Sequence, residues 1–140
     1  MYTDKRFVFE HLIDSKARDG ANDMTPANLL ADNTDLNYFI VPAGCEIEIQ
    51  NMVAYVEAAD ADALIELVKE DNTILCRIAL DATGHVSAVA AAALTAQTFP
   101  IRVAPQSATL PKLIKLRTAG ALDADTKAKI QVSVSGLSAR

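Results

Sequence analysis

The clearest pattern in the chain is the alternation of apolar and polar residues from Asn37 onward, which predicts β-strands. Residues 45–50 and 128–135 are the strictest cases, because every second residue is apolar and polar residues stand between them. The alternation predicts strands at residues 38–41, 45–50, 64–69, 73–80, 99–103, 112–117 and 128–135. Strands at intervals of about ten residues, with turn residues between them, predict an all-β fold: an antiparallel, jelly-roll-like β-sandwich.

Two stretches depart from this alternation. Residues 52–56 are apolar on both faces, which indicates either a β-bulge that shifts the register or a strand covered on both sides. This stretch is a candidate contact surface. The Ala-rich stretch at residues 86–97 fits a helix, a loop or a crossover along the edge of the sandwich.

The first 36 residues differ from the rest. Phe7, Phe9, Leu12 and Ile13 form an apolar cluster, and Thr25-Pro26 has the chemistry of a helix cap followed by the first helical residue. We therefore expect an N-terminal arm with one or two short helices over residues 1–36, and a β-sandwich domain over residues 37–140. The arm would bury its apolar cluster against the sandwich or against a neighbouring subunit.

Composition and charge restrict the partners. Aromatic residues make up only 5% of a chain that is 51% hydrophobic, so the core is aliphatic and a stacked aromatic binding face is hard to assemble. The net charge of −5 argues against nucleic acid or an anionic membrane as a partner. The net charge is unevenly distributed along the chain: it is −3 for residues 1–44, −7 for residues 45–81 and +5 for residues 82–140. The chain can pair its own halves or a neighbouring copy, or its charges are simply solvated.

The sequence contains no recognisable catalytic set. His11 and His85 have no nucleophile nearby in sequence, and the five glycines form no phosphate-binding loop. Cys45 and Cys76 fit small core residues better than a disulfide, and they form no metal motif. Acidic pairs could ligate calcium or act in a glycosidase, but they lack further ligands and an aromatic cleft. We expect no enzyme activity, no cofactor and no metal site.

The residues proposed for partner contact combine the apolar arm, the two-sided strand and a basic C-terminal face. They are Phe7, Phe9, Leu12, Ile13, Met52, Tyr55, Lys127 and Lys129. The N-terminus is charged and no apolar stretch is long enough to span a bilayer, so we expect a soluble protein made in the cytoplasm.

Residues 39–49 (FIVPAGCEIEI) contain two predicted strands joined by a Pro-Ala-Gly turn. After them come a hairpin closed by residues 80–84, an Ala-rich connection and a terminal amphipathic strand. Over residues 37–136 this layout resembles the small β-sandwich virion proteins of tailed bacteriophages, particularly head decoration (cement) proteins. The resemblance implies a structural protein on the capsid exterior, made in the host cytoplasm, that binds between major capsid protein subunits as a homotrimer. The alternative is a carbohydrate- or receptor-binding module of a phage fibre or tail, for which the loop with Asp60 and Asp62 is the nearest feature.

Overall fold

The computed structural model describes residues 2–14, 35–61, 63–90, 97–119 and 126–139. Within these ranges the protein is all-β, with nine strands and no helix. The strands are β1 Tyr2–Asp14, β2 Asp35–Val41, β3 Glu46–Ala58, β4 Leu64–Lys69, β5 Ile74–Ala79, β6 Gly84–Ser87, β7 Ile101–Val103, β8 Lys112–Thr118 and β9 Lys127–Ala139. All seven predicted strands are present, and β1 and β6 are additional.

The strands form two antiparallel sheets. In the first sheet the order is β1-β9-β3-β6, and β7 also pairs with β3. Strand β3 is thus paired with β9 on one side, and on the other side with β7 near its start and β6 near its end. The second sheet has the order β2-β8-β4-β5.

The two sheets pack over one aliphatic core, which is the arrangement of a β-sandwich. Ile49 and Ile130 come from the first sheet, and Leu67 and Ile78 from the second; all four belong to a single buried cluster. The predicted all-β antiparallel fold is therefore confirmed. No helix within the described ranges is long and apolar enough to cross a membrane.

A β-bulge explains why the alternation blurs in β3. The register with β9 shifts between Ile49 and Asn51, so the buried positions change from odd to even residue numbers. Ile49 is buried before the bulge, and Met52 and Val56 are buried after it, while Tyr55 points outward. The bulge was one of the two alternatives predicted for this stretch, and it is confirmed.

The N-terminal residues correct one prediction. Residues 2–14 form strand β1, which pairs with β9 along its whole length, so the expected helices are not supported there. The inward face of β1 carries Phe9 and Ile13 but also the polar His11, and the outward face carries the apolar Val8 and Leu12. Because polar and apolar residues occur on both faces, the sequence shows no alternation here. The helix expected from Thr25-Pro26 lies outside the described residues. Residues 2–14 contribute a strand to the sandwich, and the role of residues 1–36 as an arm stays a prediction.

Candidate functional site

The structure divides the residues predicted for partner contact between the interior and the surface. Ile13 and Met52 lie in the core, and Phe9 is partly buried against it. Phe7 is on the inward face of β1 but is 42% exposed. The other four lie on the outer face of the first sheet, with Leu12, Lys129 and Tyr55 at neighbouring register positions and Lys127 close by. Their role in partner contact stays a prediction.

Strands β1 and β2 lie on the same side of the sandwich, each at the edge of its own sheet. Aromatic rings join them across the core: the ring centroids of Phe7 and Phe9 lie 5.3 and 5.4 Å from that of Phe39. The side chain of Asn37 approaches His11, with 3.4 Å between Nδ2 and Nδ1. We name the surface formed by these two strands the β1–β2 edge.

Most of the exposed large apolar side chains are carried by β1 and β2, but they divide between the two faces of the sandwich: Val8 and Leu12 are on the outer face of the first sheet, and Tyr38 and Ile40 are on that of the second. Seven such side chains occur among the described residues, and five of them are on these two strands. The five are Phe7, Val8, Leu12, Tyr38 and Ile40; the other two are Tyr55 and Leu110. Edge strands also carry unpaired backbone groups, so an apolar edge has both features of a surface that binds another chain. Sequence reasoning missed Tyr38 and Ile40, because alternation in β2 does not reveal which strand lies at an edge.

The basic residues of the C-terminal segment contact carboxylates of the same chain. The contacts are Arg102–Glu46 at 2.8 Å, Arg102–Glu48 at 3.3 Å, Lys112–Glu70 at 3.0 Å, Lys115–Asp35 at 3.7 Å, Arg117–Glu66 at 2.9 Å, Lys127–Glu57 at 3.1 Å and Lys129–Glu10 at 3.2 Å. Five of these seven join the acidic middle segment to the basic C-terminal segment. Pairing between the halves of one chain, the first of the three alternatives, is therefore present in the folded protein.

Glu66 forms a buried charge cluster on the outer face of the second sheet. It is only 2% exposed, because it stands on β4 between Arg77 of β5 and Arg117 of β8. Arg77 Nε lies 3.1 Å from Glu66 Oε2, and Arg117 Nη2 lies 2.9 Å from Oε1. Arg117 Nη1 also donates to Asn72 Oδ1 at 3.1 Å. These bonds satisfy the carboxylate within the fold and join three strands of the sheet.

A shallow depression of about 320 Å³ lies on the outer face of the first sheet, lined in part by Tyr55, His85, Lys129 and Gln131. The rings of Tyr55 and His85 meet edge to face, with their centroids 5.0 Å apart. These residues sit at cross-strand positions on β3, β6 and β9. The side chains could donate hydrogen bonds to a partner, and two of them, Lys129 and Gln131, already contact the carboxylate of Glu10.

The two cysteines are free, and they differ in exposure. Cys76 is fully buried, and its Sγ lies 3.5 Å from Met52 Sδ. Burial raises the pKa of the Cys76 thiol to about 12, so this thiol stays neutral at ordinary pH. Cys45 is half-buried. Among the described residues, no group of three or more His, Cys, Asp and Glu side chains is placed to hold a metal ion.

No protein-family model, curated protein or solved structure matches this chain. The two features of the described structure that bear on function are the β-sandwich and the apolar side chains of the β1–β2 edge.

Proposed function

We propose that this chain is a structural, non-enzymatic virion protein that decorates and stabilises a phage capsid by binding between major capsid protein subunits. The observation that supports the proposal is the β1–β2 edge, because its two strands carry five of the seven exposed large apolar side chains among the described residues, on both faces of the sandwich. An edge of this kind suits docking to another protein, because burying it removes apolar area from water and pairs free backbone groups.

The turn that supports the resemblance to decoration proteins directly follows β2. Gly44 has a φ of +72°, which favours glycine, and its N–H donates to the carbonyl of Ser107 at 2.8 Å. This turn follows the end of β2, and the pairing of β2 with β8 sets the positions of Tyr38 and Ile40. The same resemblance supplies three further parts of the proposal. We propose that the chain forms a homotrimer, that its strands are connected as in a jelly roll, and that it lies on the capsid exterior.

The mechanism would be many modest contacts acting together. A single apolar edge contributes a limited binding free energy, but an oligomer that engages several capsid subunits at once binds far more tightly than one copy. Assembly onto a repeating surface is thus a setting in which a small sandwich can bind stably through exposed edges.

Co-sedimentation with expanded heads of tailed phages that lack a decoration protein tests this function. Ile40→Asp places a charge on the edge, whereas Leu110→Asp places the same charge at a similarly exposed site off the edge (61% and 58% exposed). We expect the wild-type chain and L110D to sediment with the heads, and I40D to stay in the supernatant.

Failure of the wild-type chain to bind any of the heads would contradict the proposal, and so would equal binding of I40D. Binding of the purified chain to a glycan array, without binding to heads, would favour the carbohydrate- or receptor-binding alternative.

A further inference from the structure

We propose that two copies of this chain pair through β1, antiparallel, about a twofold axis at Val8. The contact joins two first sheets into one continuous sheet; it takes up the open side of β1 and leaves the exposed Tyr38 and Ile40 of β2 for the capsid. Strand β1 pairs with β9 on one side over 13 residues, and no other described strand pairs with its opposite side. Among the described residues, that side therefore has backbone groups that could pair with a further strand.

The residues around Val8 are complementary to themselves. Arg6, Val8 and Glu10 point to the outer face of the sheet, and Phe7 and Phe9 point to the inner face. In a pairing centred on Val8, Arg6 lies opposite Glu10 of the second copy, and Phe7 lies opposite Phe9. Twofold symmetry repeats each pair, so the contact contains two opposite-charge pairs and two aromatic pairs.

Neighbouring registers lack this complementarity. A pairing that keeps the two cores on the same side of the joined sheet must oppose residues of the same face. Centring it on Arg6 or on Glu10 places like charges opposite each other. Centring it on Phe7 or on Phe9 places Arg6 opposite an apolar residue, Val8 or Leu12. Among the registers centred on residues 6–10, only the one at Val8 opposes Arg6 to Glu10.

The contact also covers the exposed apolar side chains at the centre of β1. Val8 is 54% exposed, and Phe7 is partly exposed beside Phe39. The second copy's rings would extend this aromatic cluster across the axis. Residues 6–10 contain no Pro or Lys, the residues that natural edge strands use to prevent pairing. The existing contacts of Glu10 with Lys129 and Gln131 hold its carboxylate on the outer face.

Charge reversal gives a direct test by sedimentation velocity of the full chain. We expect wild-type dimers that weaken at least about tenfold in R6E and in E10R, because each change creates two like-charge pairs. The double variant R6E/E10R exchanges the partners, so its dimer should return. Matched controls are R102E on β7 and E57R on β3, which make the same charge changes away from β1.

Crosslinking tests the register itself, in a Cys45→Ser background. The two copies of residue 8 face each other, so V8C should form a covalent dimer with a short bismaleimide. The two copies of residue 12 are offset by eight residues, about 26 Å along the strands, so L12C should stay monomeric on denaturing gels.

Wild-type monomers at high protein concentration would overturn the twofold contact, and so would a double variant that stays dissociated or equal crosslinking of V8C and L12C. Trimers that ignore the charge reversals would also overturn it, while leaving the decoration proposal intact. Dimers or hexamers that respond to the reversals would support it, whether or not the chain binds phage heads.

Discussion

Glu66 and Glu10 both face basic residues on adjacent strands, yet their surroundings differ. Glu66 stands on a central strand of the second sheet, with Arg77 on one side and Arg117 on the other, and it is buried. Glu10 stands on the edge strand β1, where Lys129 at 3.2 Å and Gln131 at 2.9 Å both approach it from β9 and its side chain is otherwise exposed. A central strand thus satisfies a carboxylate from two sides within one chain. An edge strand leaves one side open to water or to a second copy.

The largest expected effect is at Glu66. Glu66→Ala leaves two guanidinium groups without their carboxylate at a buried site, so we expect the free energy of unfolding to fall by about 3–5 kcal/mol. Denaturant unfolding followed by circular dichroism measures this change. The matched control is Glu10→Ala, which should unfold near the wild-type midpoint. Equal losses in both variants would contradict the distinction between the central and the edge carboxylate.

A second comparison separates two residues that sequence analysis placed in the same interface. Met52→Ala should lower the free energy of unfolding by about 2–5 kcal/mol, because it leaves a cavity at a fully buried site. Leu12→Ala should change it by less than about 0.5 kcal/mol, since Leu12 is exposed on β1. Thermal and chemical unfolding of the two variants provide the measurement. A large loss in L12A would mean that Leu12 is covered in the folded protein.

The smallest expected effect is a titration. Hydrogen bonds from Gln131 and Lys129, together with the charge of Lys129, lower the pKa of Glu10. A lowered pKa in the folded state means that this carboxylate stabilises the fold above its unfolded pKa, and that the contribution is lost as the pH falls through the folded pKa. In Gln131→Leu the pKa of Glu10 should rise towards its ordinary value. Carboxyl NMR titration measures the shift, and an unchanged pKa in Q131L would show that Gln131 is not its cause.

Much of the fold could be predicted because strict alternation is a local signal. Strand β9 follows from it directly, since its apolar residues are inward and evenly spaced. The β4–β5 hairpin follows from the turn residues at 70–72 between two apolar runs, because β4 and β5 carry adjacent apolar residues. Strand β1 could not be predicted in this way. An edge strand tolerates outward apolar residues such as Val8 and Leu12, and an inward His11 can find a partner in Asn37 of the other sheet. Strand β6 was missed because it is only four residues long, begins directly after a turn and overlaps the start of the Ala-rich stretch.

The candidate surface was harder to predict than the strands. The bulge in β3 moves Met52 into the core and Tyr55 onto the surface, and a one-residue shift of this kind exchanges every side chain between faces. The cluster at Glu66 depends on Arg77 and Arg117, which are 11 and 51 residues away in sequence. Alternation within one strand carries no information about which strands become its neighbours.

The pairing of β1 with β9 also has a mechanical consequence. Tyr2 lies opposite Ala139, so two pulling forces applied at these residues in opposite directions act on the same end of the ladder. The backbone hydrogen bonds run perpendicular to the strands and would then open one rung after another, like a zipper. The sandwich would therefore yield to tension at low force along this direction, starting with β1, while β3 keeps its partners on both sides.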